Sequence, residues 1–304
     1  MILYLAGLYT SNFDLHGRVF ARLTPSEKAA RVGVQHYLES YHYIHKESAV
    51  AKIRRDDKKV FLDSGAFSAF TKGVEVDLPA YCEYIKKNRD IILEEDGVPC
   101  ASVLDGIGDP LKTYQNQMAM EARGVRPLPC FHYGEDERYL DYYIANYPYI
   151  TIGGMVPIST PQLIHWLDRL WEKHLCDGAG RPKVKVHGFG LTSLPLMKRY
   201  PWYSVDSSTW VQWAANGMLL IPGLGQVNVS SKSSSRKLEG QHLNTYTPPQ
   251  RAAIIKHIEA LGFDPQRLQD EYVSRWAFNV WAFPKEGEKS TLVDFVRSQP
   301  ELFI

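Results

Sequence analysis

Short apolar runs, each closed by a turn residue, alternate along the chain with longer stretches whose apolar positions recur every three or four residues. The short runs predict strands at Ile2–Ala6, 59–62, 101–104, 127–131, 149–152, 184–187, 203–205 and Met218–Ile221. The longer stretches carry helix starts. Thr24-Pro25-Ser26-Glu27 is a capping box with proline in the first turn. Asp109-Pro110 opens a helix that Gly124 closes, and Thr160-Pro161 opens another reaching about residue 175. Residues 78–88 and 136–146 also have helical spacing. Eight strands alternating with helices over roughly 220 residues predict an α/β fold, a (β/α)8 TIM barrel. A doubly wound open sheet is the alternative.

After the last predicted strand the texture changes. Lys232, Arg236 and Lys237 are set among Ser230, Ser231, Ser233, Ser234 and Ser235 in a polar, basic loop. Thr247-Pro248 then begins a helix with Ile254, Ile255, Ile258 and Leu261 on one face, ended by Gly262. Asp264-Pro265 begins a further helix running into Trp276, Phe278, Trp281 and Phe283. The expected organisation is a single domain: a barrel over about 1–225, a basic loop at 226–246, and C-terminal helices at 247–304 packed on the barrel. No internal repeat has a fixed period.

Composition narrows the class. The 304 residues are 44% apolar and 23% charged, enough for a full core, which excludes a disordered chain. Lys plus Arg number 35 and Asp plus Glu 34, so a net charge of +1 gives no global attraction to nucleic acid. Any such interface must be a local patch. Aromatic residues reach 12%, compatible with base stacking, although most must serve the core. Cys82, Cys100, Cys130 and Cys176 form no CxxC pair, which removes paired zinc and thioredoxin-type motifs. The amino terminus reads as a strand, not a signal peptide, and no apolar stretch approaches the roughly 20 residues of a membrane span. These features predict a soluble, cytoplasmic protein with no membrane partner.

In a (β/α)8 barrel the chemistry sits at the carboxyl ends of the strands. Those ends carry Asp63-Ser64-Gly65-Ala66-Phe67, Asp105-Gly106, His132-Tyr133-Gly134, Gly153-Gly154-Met155, His187-Gly188-Phe189-Gly190 and Asp206-Ser207-Ser208. Each has an ordinary reading beside the chemical one. Asp63 and Asp105 precede glycine turns, Asp206 can cap a helix, and His132 and His187 can be satisfied core histidines. Together they place three aspartates and two histidines at one end of the sheet. No HxH pair follows the first strand and no ligating lysine appears, so no metal ligand is assigned. Paired carboxylates suit glycosidic chemistry: one attacks or stabilises an anomeric carbon, and the other moves the leaving group's proton.

These residues resemble a known family. Phe61-Leu62-Asp63-Ser64-Gly65-Ala66-Phe67 resembles the DSGGFQ motif of the tRNA-guanine transglycosylases (queuine tRNA-ribosyltransferases). Ile152-Gly153-Gly154-Met155 resembles their IGGLAVGE loop, and Phe131-His132-Tyr133-Gly134 stands in place of their IVQG segment. Val205-Asp206-Ser207-Ser208 falls where they carry FDCVLPTR, after Gly188-Phe189-Gly190, and Asp105 stands in place of their base-recognising aspartate. The order holds over residues 59–210. No cysteine follows Cys176, so their CxCxxC…His zinc subdomain is missing, as is the PTR after the nucleophile. A shortened chain without that subdomain resembles the phage DNA 7-deazaguanine transglycosylases, the DpdA-like family.

The resemblance implies a phage-encoded or phage-derived DNA-guanine transglycosylase, a pentosyltransferase that exchanges guanine in DNA for a 7-deazaguanine such as 7-cyano-7-deazaguanine (preQ0). If phage-encoded, it works in the host cell cytoplasm. It implies Asp206 as nucleophile, forming a covalent Asp206–deoxyribose intermediate, and Asp63 as general acid and base. Asp105 would accept base N–H groups, and backbone at Gly153, Gly154 and Met155 would hold the other edge. Phe67 or Tyr133 would stack on the ring, with His132 and His187 completing the base pocket. The exchange calls for no cofactor. Lys232, Arg236 and Lys237 are the expected contacts to the nucleic-acid backbone. Two alternatives stand: tRNA as substrate, or a non-catalytic nucleic-acid-binding subunit of such an enzyme. Without the zinc region, a monomer is favoured over a homodimer.

Overall fold

Seven short strands run side by side in one parallel sheet in the computed structural model, which describes residues 1–191 and 193–288. They are β1 (Ile2–Ala6), β2 (Tyr37–Ser40), β3 (Phe61–Asp63), β6 (Cys130–His132), β7 (Tyr149–Gly153), β8 (Lys185–Gly188) and β9 (Ser204–Ser207). Their spatial order is β3-β2-β1-β9-β8-β7-β6. Two antiparallel pairs lie outside it: β4 (Glu94–Glu95) with β5 (Val98–Pro99), and β10 (Met218–Ile221) with β11 (Gly225–Asn228). Helices fill the connections between sheet strands, as parallel pairing requires.

The sheet is curled. Phe61 of β3 stacks on His187 of β8 with ring centres 4.5 Å apart and meets Tyr149 of β7 edge-on at 6.4 Å, although three strands separate β3 from β8 in the sheet. Tyr4, Leu38, Phe61, Cys100, Leu128 and Tyr149 are buried together on the concave side. The segment between β5 and the helix Pro110–Ala122 lies between the two sheet edges. Ser102 N–H donates to Leu62 O at 2.9 Å and Val103 N–H donates to Leu128 O at 2.9 Å. This segment makes isolated parallel bridges at Ala101 and Ser102, not a ladder.

Three sequence expectations change. The predicted strand at 101–104 is reduced to those two bridges. Met218–Ile221 forms a strand but leaves the sheet, because Gly223 and Gly225, both at positive φ, turn the chain into an antiparallel hairpin. β2 was not expected, because Glu39 interrupts the apolar run Tyr37-Leu38. The carboxylate of Glu39 is fully buried and accepts Tyr9 N–H at 2.6 Å and Thr10 Oγ1–H at 2.8 Å, so a charged residue occupies a covered position. Burial pushes it up to about 7, against those hydrogen bonds.

The helix starts follow local sequence. Thr24 and Glu27 close the capping box of Pro25–Val32, and Asp109 Oδ1 accepts Lys112 N–H at 3.0 Å ahead of Pro110–Ala122. Ser159, one residue earlier than expected, forms the box for Thr160–Leu170. C-terminal helices run over Pro248–Ala260, Pro265–Asp270 and Tyr272–Glu288; of the expected 247–304 segment, 289–304 lie outside the described residues. Glu27 ties this region to the first part of the chain. Its buried carboxylate accepts Arg267 Nη2 at 3.1 Å and the Ser274 hydroxyl. Burial opposes its ionisation, but Arg267, Ser274 and the Thr24 N–H hold it below the usual carboxylate range. Glu27→Ala leaves Arg267 with Glu271 alone and the Ser274 hydroxyl without its acceptor, and is expected to cost about 1–3 kcal/mol in urea melts. A loss within the scatter of surface substitutions would show that the pair does not fasten the two regions together.

Candidate active site

Alternation along the strands sets which side chains share the concave side. Register places Tyr4 opposite Asp206, and His132 opposite Gly153. At the carboxyl ends this gathers Asp63 from β3, Cys130 and His132 from β6, and Asp206 from β9, with Asp105 following the bridging segment.

Asp206 is buried and fixed from two sides. Gly190 N–H donates to its Oδ1 at 2.8 Å, and His187 Nε2 lies 3.3 Å from the same oxygen. His187 Nδ1 lies 2.7 Å from Ser204 Oγ, which lies 2.7 Å from the Tyr149 hydroxyl. One set of proton positions satisfies the chain: Tyr149 donates to Ser204, Ser204 donates to Nδ1, and Nε2–H donates to Asp206. His187 itself has no exposed surface. It therefore has no surface of its own to offer a base, and its ring is held between Ser204 and Asp206.

Asp63 ends β3 where the chain turns into the helix Ala66–Thr71. Burial first, then the negative charges of Asp105 and Asp206, push its carboxyl up to about 7. Gly65 N–H, donating to Oδ2 at 3.1 Å, opposes the shift. Gly65 has φ +76°, and a Cβ there would lie 2.3 Å from Ser40 Oγ and 2.5 Å from His42 Cβ. Gly65→Ala is therefore expected to cost about 2–4 kcal/mol in thermal melts, from the left-handed backbone and the clash. A neutral substitution would mean that this turn is free to rearrange.

His132 sits among three acidic groups. Its Nδ1 lies 2.8 Å from Glu135 Oε1, and its Nε2 lies 3.4 Å from Cys130 Sγ and 3.4 Å from Asp105 Oδ1. Burial opposes its protonation, but Cys130 and Asp105 outweigh that and push it up. Burial and Asp105 raise the Cys130 thiol to about 11. Gly153 keeps this space open: a Cβ there would lie 3.1 Å from His132 Cδ2 and 3.2 Å from Cys130 Sγ.

The remaining expected residues are spread more widely. Phe67 is 59% exposed on the helix after β3. Tyr133 is half-buried, edge-on to Trp166 at 5.0 Å, and its N–H donates to Gly153 O. Gly154 is exposed at positive φ, while the Met155 side chain is buried and its carbonyl accepts Ile158 N–H. Lys232, Arg236 and Lys237 lie on a segment fastened by Ser230 N–H to Gly217 O, Ser231 N–H to Gln269 O, and the Ser233 hydroxyl to Asn216 O. Among the described residues no hydrogen bond, ion pair or ring contact links that segment to Asp63, Asp105 or Asp206. A cavity of about 420 Å3 opens at the opposite, amino-terminal end of β7, lined in part by Glu95, Arg126, Tyr147 and Tyr149.

Sequence reasoning missed Cys130, Glu135, Ser204 and Tyr149. Cys130 and His132 are two apart on a strand and must face the same way, which was a readable signal. Ser204 and Tyr149 meet only through cross-strand register. No helix among the described residues is long and apolar enough to cross a membrane. No model of a known protein family matches the chain, and no curated protein matches it.

Proposed function

We propose that the chain is a base-exchanging glycosyltransferase acting on guanine in DNA, with Asp206 as nucleophile and Asp63 as general acid and base. The observation that carries this reading is a pair of unlike carboxyl groups, one on β3 and one on β9, at the same end of the curled sheet. Asp63 is biased towards its protonated form near neutrality, and Asp206 is anchored by Gly190 N–H and His187. Unlike environments for two carboxyl groups divide the acid and nucleophile roles between them. The finer fold that goes with this reading is a (β/α)8 barrel in which 101–103 fills the eighth position. The backbone hydrogen bonds from Leu62 through this segment to Leu128 support it.

In the first half-reaction a carboxylate oxygen of Asp206 bonds to C1′ as the C1′–N9 bond breaks. The bond's electron pair leaves with guanine, which takes the proton from Asp63. In the second, ionised Asp63 removes a proton from the incoming 7-deazaguanine, whose ring nitrogen attacks C1′ and displaces Asp206. Two displacements retain configuration, and no redox cofactor enters the balance. Asp105 would accept an N–H of the base edge. Phe67, Phe70, Leu111 and Val156, apolar and more than half exposed on the helix starts and turns that follow the strands, would meet the base and its neighbours. The target nucleotide must leave its stack to reach them, which costs a few kcal/mol.

Nucleoside mass spectrometry after incubation with 7-cyano-7-deazaguanine and either DNA or tRNA tests the reading. A deazaguanine-bearing deoxyribonucleoside is expected. A modified ribonucleoside would transfer the substrate to tRNA, and no product from either would overturn the transglycosylase assignment for the chain acting alone.

A further inference from the structure

The three side chains around the His132 ring present a chemical conflict. Glu135, a carboxylate, can only accept at His132 Nδ1, so Nδ1 carries the proton. A neutral imidazole then turns its Nε2 lone pair towards Asp105 Oδ1, itself an acceptor, at 3.4 Å. Asp105 Oδ1 is buried and receives no well-formed hydrogen bond. The Cys130 S–H can donate to Nε2, yet Asp105 Oδ1 still faces an acceptor in a covered site, and a positive charge between the two would satisfy it. A second proton on the ring is one source of that charge. A metal ion is the other.

We propose that Asp105, Cys130 and His132 form a binding site for a divalent cation of the zinc class. One donor atom from each residue lies within 4.8 Å of the other two. Zinc bonds of about 2.0–2.3 Å to oxygen, nitrogen and sulfur set donor-to-donor edges of about 3.3–3.6 Å in a tetrahedron. The Nε2–Sγ and Nε2–Oδ1 separations are both 3.4 Å. Thiolate, imidazole and carboxylate together select zinc or cobalt over magnesium or calcium. Glu135 supplies the usual orienting partner, a carboxylate on the far nitrogen of a ligating histidine. The missing side chain at Gly153 leaves room beside Cys130 and His132. Three protein ligands leave a fourth position for water or a ligand atom, the pattern of an open rather than a structural site.

The site does not rest on the glycosyl-transfer reading. It uses only Oδ1 of Asp105, leaving the second oxygen for a base N–H.

Cobalt titration of chelator-treated protein tests it. One equivalent of Co2+ per chain is expected to give a thiolate-to-cobalt charge-transfer band in the near ultraviolet and the intense visible bands of a four-coordinate ion, all displaced by Zn2+. Cys130→Ser is expected to remove the near-ultraviolet band. Glu135→Gln is expected to weaken Co2+ binding by about 10–100-fold while keeping the band. Absence of the band in the unsubstituted protein, or a band that persists in folded Cys130→Ser, would overturn the site and leave an imidazolium as the charge between Cys130 and Asp105. If Cys130→Ser does not fold by circular dichroism, the decision falls to the unsubstituted protein's spectrum together with Glu135→Gln affinity, where an unchanged affinity overturns the proposal.

Discussion

Replacing Asp206 by asparagine is expected to lower base exchange by roughly 10⁴-fold or more, the scale of loss when a covalent nucleophile is removed. The fold should survive. The new side chain still offers an oxygen to Gly190 N–H and His187 Nε2, so the buried contacts persist while the attacking charge disappears. The covalent nucleic-acid adduct, seen as a band resistant to denaturing electrophoresis when the incoming base is withheld, should vanish with it. Exchange near the unsubstituted rate in folded Asp206→Asn protein would remove Asp206 from the chemistry. A retained adduct would assign the nucleophile to another residue.

The second large effect falls on Asp63, with opposite signs for rate and stability. Its carboxyl titrates at about 7 in the folded protein, against an unfolded value of about 3.9. Guanine release needs the protonated form, so its single-turnover rate should fall about tenfold per pH unit above neutrality. Asp63→Asn should lose about 10²–10⁴-fold and flatten that limb. Stability runs the other way. Below about pH 4 both states hold the proton and the shift has no effect. Between about pH 4 and 7 the folded protein binds more protons than the unfolded chain, so stability declines as pH rises. Above pH 7 ionised Asp63 costs up to about 4 kcal/mol. Asp63→Asn should therefore melt at a higher temperature at pH 8 and show no gain at pH 4. A lower melting temperature at pH 8 would mean that ionised Asp63 stabilises the fold.

Much of this arrangement was readable from local sequence. Thr24 with Glu27, Asp109 before Pro110, and Thr247 with Gln250 mark helix starts because a cap is completed within four residues. Asp63, Asp105, His132, Gly153 and Asp206 were placed at strand ends because each stands where an apolar run meets a glycine or a polar turn. What stayed hidden depends on distant partners. β2 was invisible because Glu39 is satisfied by Tyr9 and Thr10, some thirty residues earlier, and a charge in an apolar run reads as a break. His187 looked like a pocket residue because its depth depends on Phe61 stacking against it from across the curled sheet. The hairpin of β10 and β11 was mistaken for a barrel strand because Leu219-Leu220-Ile221 is apolar in either setting. The segment at 230–237 reads only as a polar, basic loop because serine-rich sequence does not reveal that Gly217 and Gln269 anchor it.

The helix Tyr272–Glu288 packs on both β1 and the helix Pro25–Val32, and β1 also pairs with β9. β1 is thus enclosed by elements made much later in the chain. During synthesis, β1 leaves the ribosome long before Ser204–Ser207 exists to pair with it. Until then Leu3, Ala30 and Val34 keep their apolar surface in water. Closing so long a loop gives the chain a high contact order, hence slow folding. The nascent chain spends that interval exposed to aggregation. A pulse of chaperone binding that ends only after residue 288 emerges is the expected signature of a strand that waits so long for its cover.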